Sequence, residues 1–159
     1  MKIKKRLIGI LITAICIINL IPVMSYAAVY RDAYETIYAN TLDGATSGGY
    51  NASGKYLGSM TNGAGYYYEG VDFGTVPPKY VDVGIGVPDQ YAGSKFQLIL
   101  DSMDGEVIAE FIAESSGDFD KSVVHQFEIT KKITGTHTLY LKKVNGAPTN
   151  IYSFKFFNS

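Results

Sequence analysis

Residues 80–87 read Tyr-Val-Asp-Val-Gly-Ile-Gly-Val, and the pattern of this stretch decides the fold class. Its odd-numbered positions all carry branched aliphatic side chains, whereas the even-numbered positions carry Tyr, Asp or Gly. Because successive side chains of a β-strand point to opposite faces of the sheet, this alternation predicts a strand with one buried face. Apolar residues at the spacing of an amphipathic helix are hard to find beyond residue 27.

Similar alternation, or enrichment in β-branched and aromatic residues, recurs through the second half of the chain. It predicts five further strands, at residues 96–100, 107–113, 123–129, 137–144 and 151–157. Turn-forming residues separate these strands; the Asp104-Gly105 pair predicts a tight hairpin with positive φ angles. Short strands at this spacing predict an all-β protein folded as an antiparallel β-sandwich.

Residues 1–27 have the layout of a secretory signal peptide. Four basic residues within the first six precede an apolar run over residues 7–23, and Ser25 and Ala27 then place small side chains where a signal peptidase reads them. The run is also about as long as the shortest transmembrane helices, so an uncleaved anchor is the alternative. We expect cleavage, secretion to the extracellular space, and a mature chain of residues 28–159 without a membrane span.

The mature chain would have 132 residues, which suits one domain that folds unaided. Its charge balance is acidic, because removing residues 1–27 takes four of the 14 Lys and Arg residues and none of the 15 Asp and Glu residues, leaving a net charge of −5. Nucleic acids and anionic membranes bind clustered positive charge, so neither is an expected partner. The only cysteine, Cys16, lies in the signal, so disulfides and thiolate metal sites are excluded. We expect a monomer.

Candidate catalytic groups are few. His125 and His137 both fall inside predicted strands, without a nucleophile motif or a second His at a metal-binding spacing. Glycoside hydrolysis needs two carboxylates at a set separation, which a sequence does not show. Turn formation and solvation account for the carboxylates around the predicted hairpin, which are Asp101, Asp104, Glu106 and Glu110. We therefore expect no enzymatic activity.

Tyrosine is the positive signal for function, since 12 of the 13 tyrosines lie in the mature chain. A sugar offers an apolar face, on which a ring can stack, and a rim of hydroxyls, which amides and carboxylates can bind. Tyr56 and Tyr91 fall in loop-like stretches, where rings are exposed.

Residues 41–65 predict a long loop with one short strand near Tyr56, either functional or a flexible connector. In residues 66–68, three consecutive tyrosines, alternation places Tyr67 opposite to its neighbours and at least one ring in the core.

Five blocks of sequence, in order, resemble carbohydrate-binding modules of family six. One reads Gly-Thr-His-Thr-Leu-Tyr-Leu, which is similar to that family's Gly-x-His-x-Leu-Tyr-Leu strand, and another ends in Val-Asp-Phe-Gly. The blocks are residues 58–74, 98–105, 115–119, 135–141 and 150–156. The resemblance implies a jelly-roll β-sandwich, in agreement with the alternation.

The resemblance also implies a sugar site in the loops at one edge of the sandwich, where two aromatic rings and an asparagine bind the ligand. One ring maps to Phe119, where the family has Trp, and the amide maps to Asn150. The other ring maps to Ser59, which is not aromatic, so Tyr56 and Tyr91 are the candidates to replace it.

Family resemblance further implies a structural calcium ion between acidic residues near the start of the module and an Asp of the last strand. Oxygen ligands suit calcium. Asp32 and Glu35 are the only candidates near the start, and the last-strand Asp maps to Tyr152. Calcium is therefore an expectation with an incomplete ligand set.

The leading hypothesis is a secreted, non-catalytic, lectin-like module that binds a polysaccharide or cell-surface glycan. A second hypothesis is contact with another protein, or with a second copy, through a Tyr-rich face, because Tyr is favoured at interfaces; the non-aromatic Ser59 keeps it open. A third hypothesis is a small glycosidase that uses the hairpin carboxylates.

Overall fold

The structure is a computed structural model that describes residues 29–159. The expected signal peptide at residues 1–27 and its cleavage site lie outside the described residues. Single-turn 3-10 helices occupy Ala39–Thr41 and Asp89–Tyr91, and between residues 29 and 159 no helix is long and apolar enough to cross a bilayer. Ten strands follow in chain order: β1 (Arg31–Asp32), β2 (Ile37–Tyr38), β3 (Gly44–Ala45), β4 (Gly65–Asp72), β5 (Tyr80–Gly86), β6 (Lys95–Leu100), β7 (Val107–Ile112), β8 (Val123–Glu128), β9 (Thr136–Asn145) and β10 (Asn150–Phe157).

The strands form two sheets that share one core. The larger sheet has the order β1-β4-β9-β6-β7, with β3 paired to β4, and the smaller sheet has the order β2-β10-β5-β8. Only β1 and β4 pair in parallel; the other pairs formed by the described strands are antiparallel. The prediction of an all-β antiparallel sandwich is confirmed, and all six strands predicted from residue 80 onward are present.

The core follows the alternation read from the sequence. Val81, Val83 and Ile85 of β5 are fully buried, and so is Phe154 on the neighbouring strand β10. Among the three consecutive tyrosines of β4, Tyr66 and Tyr68 are fully buried. Tyr67 lies on the outer face of the larger sheet, where its ring centroid is 5.6 Å from that of Tyr140. The prediction that Tyr67 faces away from its neighbours is confirmed.

The predicted hairpin joins β6 to β7, but its backbone differs from the expectation. The positive φ angle falls on Asp101, at +64°, and not on Asp104 or Gly105. Glycine is needed at position 105 because a Cβ there would collide with the carbonyl oxygen of Leu100. Asp101 is held in its left-handed conformation by hydrogen bonds, since its Oδ1 accepts the Thr138 amide at 3.2 Å.

Candidate functional site

Strand register brings the predicted site residues to one end of the sandwich. β5 ends at Gly86, which pairs with Asn150 at the start of β10. The connection from β5 to β6 carries Tyr91, and the connection from β7 to β8 carries Phe119. Three separate parts of the chain therefore supply this end.

Ser116 ties the two connections together. Its backbone amide donates to the Val87 carbonyl at 2.9 Å, and its Oγ accepts the Val87 amide at 2.8 Å. The same hydroxyl donates to the carbonyl of Asp118 at 2.7 Å, one residue before Phe119. Because Ser116 is buried, these bonds are shielded from water and fix the turn that presents Phe119.

The carbonyl of Phe119 is the centre of the predicted site. Asn150 Nδ2 donates to this oxygen at 3.2 Å, and the Tyr152 hydroxyl donates to it at 2.8 Å. The structure thus brings together the two residues on which the sugar-site prediction depends. The bond to Phe119 uses one N–H of Asn150, which is itself only 7% exposed, with its Oδ1 beside Gly58. We call Phe119, Asn150, Tyr152, Tyr91 and Tyr56 the edge cradle.

Gly86 allows the loop and the strand to approach this closely. A Cβ at position 86 would lie 2.5 Å from the Phe119 carbonyl oxygen and 2.7 Å from Cε2 of Tyr152, and neither distance is tolerated. The glycine follows the buried Ile85 in the alternating stretch that defined the fold. The same pattern that builds the core therefore also leaves room for the site on its outer face.

Tyr91 stacks directly on Phe119. The two ring centroids are 5.6 Å apart and the ring planes differ by 25°. A sugar between two rings needs a separation of about 7–8 Å, twice a carbon–carbon contact distance. The two rings therefore form a stacked platform and not an open clamp, and Tyr91, which is 38% exposed, presents its outer face to solvent.

Tyr56 reaches the cradle from the long loop. Its ring centroid is 5.4 Å from that of Tyr152, with the planes tilted by 58°. Leu57 pairs with Ile151 through hydrogen bonds of 2.8 and 2.9 Å, which joins the loop to β10. A Cβ on Gly58 would strike Asn150 Oδ1, so a larger residue here would displace the amide from its present position.

Ser59, the position to which the resemblance maps the second ring, offers no aromatic surface. Its backbone has a φ of +53° and its side chain is exposed. Tyr56 and Tyr91 both lie in the cradle, as the sequence suggested, but on separate partners. Tyr56 contacts Tyr152, whereas Tyr91 contacts Phe119.

Tyr152 is a site residue that sequence reasoning missed. It was considered only as the position of a calcium-binding Asp, yet its ring and hydroxyl join Tyr56 to Phe119. The available signal was its place two residues after Asn150 in a predicted strand, because such positions share a face.

Two buried polar groups hold the long loop against the frame. The Tyr66 hydroxyl accepts the Thr61 amide at 2.7 Å and donates to the Gly49 carbonyl at 3.1 Å. Lys143, which is 3% exposed, donates from Nζ to the carbonyls of Met60 at 3.2 Å and Ala147 at 2.9 Å. Burial lowers the pKa of Lys143. Residues 41–65 are thus an anchored loop and not a flexible connector.

Carboxylates border the cradle on one side. Asp118 and Asp120 are exposed, and Asp118 Oδ1 accepts the Asp120 amide at 2.9 Å. Burial, followed by the charge of Asp120, raises the pKa of the Tyr152 hydroxyl. This hydroxyl therefore stays protonated at neutral pH and remains a hydrogen-bond donor.

The described residues do not supply the carboxylate set that calcium would need. Asp32 Oδ1 accepts the Tyr34 amide at 2.9 Å, and Glu35 is an exposed neighbour. Within residues 29–159 no three His, Cys, Asp or Glu side chains come close enough to hold a metal ion. Because calcium takes six to eight oxygen ligands, the two residues do not fit the expected site. Calcium binding stays a prediction.

His137 and its partner Asp101 lie on the hairpin side of the larger sheet, away from the cradle. His137 Nδ1 is 2.8 Å from Asp101 Oδ2, and Nε2 is 3.1 Å from the Thr134 carbonyl oxygen. Both ring nitrogens are therefore occupied in holding the turn before β9. The structural role that the sequence indicated for His137 agrees with these contacts.

Comparison with known proteins places the chain among sugar-binding modules. The family model described as "carbohydrate binding module (family 6)" matches residues 34–158. No protein with a curated description matches the sequence significantly.

Solved structures share the fold at low sequence identity. The module CsCBM6-3 from Clostridium stercorarium, in complex with cellobiose, is 22% identical with a TM-score of 0.71, over 82% of this chain and 98% of that chain. A family 6 module from Clostridium cellulolyticum, in complex with xylose, is 22% identical with a TM-score of 0.66, over 79% and 98%. A module of Cellvibrio mixtus lichenase 5A, in complex with cellotriose, is 15% identical with a TM-score of 0.64, over 80% and 98%. These likenesses establish the sandwich fold.

Proposed function

Because the chain belongs to carbohydrate-binding module family 6, we propose that it is a secreted protein that binds a polysaccharide at the edge cradle. The observation that carries this proposal is the direct contact between Asn150 and the backbone of Phe119. That contact fixes the Asn150 amide beside a stacked pair of aromatic rings. Family membership favours this function over contact with another protein through a Tyr-rich face.

The cradle offers both kinds of contact that a sugar needs. The outer face of Tyr91 provides an apolar surface for the C–H face of a pyranose, and Phe119 supports that ring from below. Asn150 supplies a donor and an acceptor for hydroxyls at the ring edge. The exposed carboxylates of Asp118 and Asp120 accept further hydroxyl hydrogen bonds. We expect modest affinity, because an open site buries little surface.

The ligand class follows from the chemistry of the cradle and from the relatives. The solved relatives were bound to cellobiose, cellotriose and xylose, which are units of neutral glycans. The acidic border of the cradle disfavours a carboxylated sugar there. We therefore propose a neutral glucan or xylan chain as the ligand.

The proposed role involves binding alone, without catalysis. The hairpin carboxylates on which the glycosidase hypothesis depends lie between β6 and β7, whereas the cradle lies where β5 ends and β10 begins. Secretion is proposed from the signal-like residues 1–27. Turnover of a labelled polysaccharide that disappears in Asp101→Ala or Glu110→Ala would contradict this part.

The outer face of the larger sheet offers a further place for sugar contact. Tyr67 and Tyr140 lie there with ring centroids 5.6 Å apart. Two adjacent, partly exposed rings on one sheet face make this pair a candidate. Loss of residual polysaccharide binding on adding Tyr67→Ala to Phe119→Ala would support it.

Affinity electrophoresis of the mature protein in gels that contain single polysaccharides tests the proposal. Wild-type protein should be retarded by at least one glucan or xylan, and Phe119→Ala and Asn150→Ala should be retarded clearly less by the same polysaccharide. Tyr30→Ala is the control, because Tyr30 is 68% exposed and lies near β1, outside the cradle. Wild-type migration unaffected by every polysaccharide, together with a dimer in sedimentation, would favour the protein-contact alternative instead.

A further inference from the structure

A cavity lies on the outer face of the smaller sheet, beside the edge cradle. We propose that it binds a further sugar unit of the glycan chain that occupies the cradle. This inference rests on the proposed function and extends it from a single ring contact to a longer glycan. The cavity has a volume of about 510 Å³, within the range typical of small-ligand sites. Its lining includes Tyr38, Asn40, Lys55, Ser122, Tyr152 and Ser153.

The lining has the composition of a sugar site. Tyr38 is 60% exposed, so its ring is available for stacking. Asn40 donates from Nδ2 to the Gly54 carbonyl at 2.8 Å, which leaves its Oδ1 as an acceptor for a hydroxyl. Ser122 and Ser153 add hydroxyls that both donate and accept. Rings, amides and hydroxyls in one cavity match a neutral pyranose.

Lys55 is the only charged residue among those that line the cavity. Its ammonium group has three donors and no acceptor, so it pairs with sugar hydroxyl oxygens. The carboxylates that border the edge cradle, Asp118 and Asp120, accept hydrogen bonds from hydroxyls. The two parts of the proposed site therefore present opposite hydrogen-bonding character to successive sugar units.

Gly84 explains why a cavity exists on this face. A Cβ at position 84 would lie 2.9 Å from Ser122 Oγ, 3.0 Å from Ser153 Oγ and 3.2 Å from Tyr152 Cβ. Because residue 84 is glycine, these three side chains can lie close to the backbone of β5 and line the cavity. Gly84 and Gly86 are alternate residues on the same outer face of β5, and each makes room for one part of the combined site.

Tyr152 connects the cavity to the edge cradle. It lines the cavity, its ring packs against Tyr56 with centroids 5.4 Å apart, and its hydroxyl donates to the Phe119 carbonyl. A glycan on the Tyr91–Phe119 platform therefore has a continuous aromatic and polar path past Tyr152 towards Tyr38. The order of contacts predicts that only chains longer than a disaccharide use the cavity.

Isothermal titration of the mature protein with two oligosaccharide series tests this inference. The probes are the cello-oligosaccharides and the xylo-oligosaccharides from two to six units. Wild-type affinity should rise with chain length. Tyr38→Ala should lose about threefold to tenfold in affinity for the hexasaccharide, with the affinity for the disaccharide unchanged. Lys55→Ala should show a smaller loss with the same length dependence.

Matched controls separate this inference from the proposed function. Tyr30→Ala and Lys121→Ala remove exposed side chains outside the cavity and should match wild type at every length. Phe119→Ala should lower affinity for short and long chains alike. If Tyr38→Ala and Lys55→Ala bind the hexasaccharide as tightly as wild type while Phe119→Ala does not, the cavity is not a sugar site and the proposed function stands. Absence of wild-type binding to both series would overturn the inference and the proposed ligand class together.

Discussion

The sandwich frame and the edge cradle are built by different rules. In the frame, neighbouring residues of one strand alternate between core and surface, as in residues 80–87. The sequence of such a strand therefore predicts by itself which side chains are buried. In the cradle, Phe119 and Asn150 meet although they are 31 positions apart in the chain. Alternation within single strands therefore specifies the core, whereas the site depends on how separate loops between strands are anchored.

Removing a core ring should have the largest effect and should act on the frame alone. Phe154 is fully buried, and its ring packs edge-to-face on Tyr68 with centroids 5.5 Å apart. Phe154→Ala should lower the free energy of unfolding by about 3–5 kcal/mol, because it leaves a cavity in a close-packed core. Urea denaturation followed by tyrosine fluorescence measures the change.

Phe157→Ala is the matched control for that experiment, since it removes the same ring from the same strand. Phe157 is only partly buried, and Lys155 Nζ lies 5.7 Å from its ring centroid. A loss of about 1 kcal/mol or less is expected there. Equal losses in both variants would contradict the description of one buried and one open face of β10.

Tyr66→Phe should affect both the frame and the cradle. The change keeps the buried ring but removes the hydroxyl that binds the Thr61 amide and the Gly49 carbonyl. We expect a loss of about 1–3 kcal/mol in stability, because two backbone groups lose their partner. Polysaccharide affinity should fall as well, since the loop that carries Tyr56 loses an anchor.

Tyr67→Phe is the control, because it removes a hydroxyl from the outward-facing neighbour. It should leave the free energy of unfolding within about 0.5 kcal/mol of the wild-type value. A stability loss in Tyr66→Phe without any change in polysaccharide affinity would show that the loop does not position the site.

Alternation made the frame predictable, because a period of two can be read in residues 80–87 and at Phe96, Gln97 and Leu98 without knowing which strands pair. The family pattern placed Phe119 and Asn150 at one edge, and the structure brings them into contact. The Tyr91–Phe119 stack and the bridge made by Tyr152 were not predictable, since they depend on the angle at which separate loops meet. The positive φ of the β6–β7 hairpin was misplaced for a similar reason. Hydrogen bonds to Asp101 outweigh the local preference of Asp-Gly.

Gly58→Ala should disturb the cradle and spare the frame. The new Cβ would strike Asn150 Oδ1 and would lie 3.1 Å from Cε2 of Tyr56. The amide must turn away from its present position. We therefore expect polysaccharide affinity to fall about tenfold, which corresponds to the loss of one hydrogen bond between uncharged groups. Titration with the best-bound oligosaccharide measures the change.

Gly49→Ala provides the comparison within the same loop, because a Cβ there meets nothing within 4 Å. Its affinity should equal that of wild type. Unchanged affinity in Gly58→Ala as well would mean that Asn150 does not contact the ligand.

Lys143 links frame and loop, and its effect should depend on pH. Burial lowers its pKa in the folded protein below the ordinary value of 10.5. The unfolded chain therefore binds more protons in the window between the two pKa values, and this residue's contribution to the free energy of unfolding rises with pH there. Lys143→Met lacks that contribution. The stability difference between wild type and Lys143→Met should thus shift in favour of wild type as the pH rises towards the ordinary pKa of 10.5.

Lys142→Met tests whether that pH dependence belongs to the buried position. Lys142 is the neighbouring residue of β9 and is only partly buried. Its replacement should leave in place the rise in stability with pH that Lys143 provides. A parallel slope in Lys143→Met would contradict the lowered pKa of the buried group.

Calcium removal should have the smallest effect on stability, because the candidate ligands are exposed residues outside both the core and the cradle. Asp32 and Glu35 offer two carboxylates, and one Asp32 oxygen already accepts the Tyr34 amide. Such a site would bind no more tightly than about 1 mM, so millimolar calcium should stabilise the fold by less than about 0.5 kcal/mol. Thermal unfolding with calcium and with a chelator measures this. A shift of several degrees that disappears in Asp32→Asn but persists in Asp104→Asn would instead establish a calcium site completed by backbone oxygens.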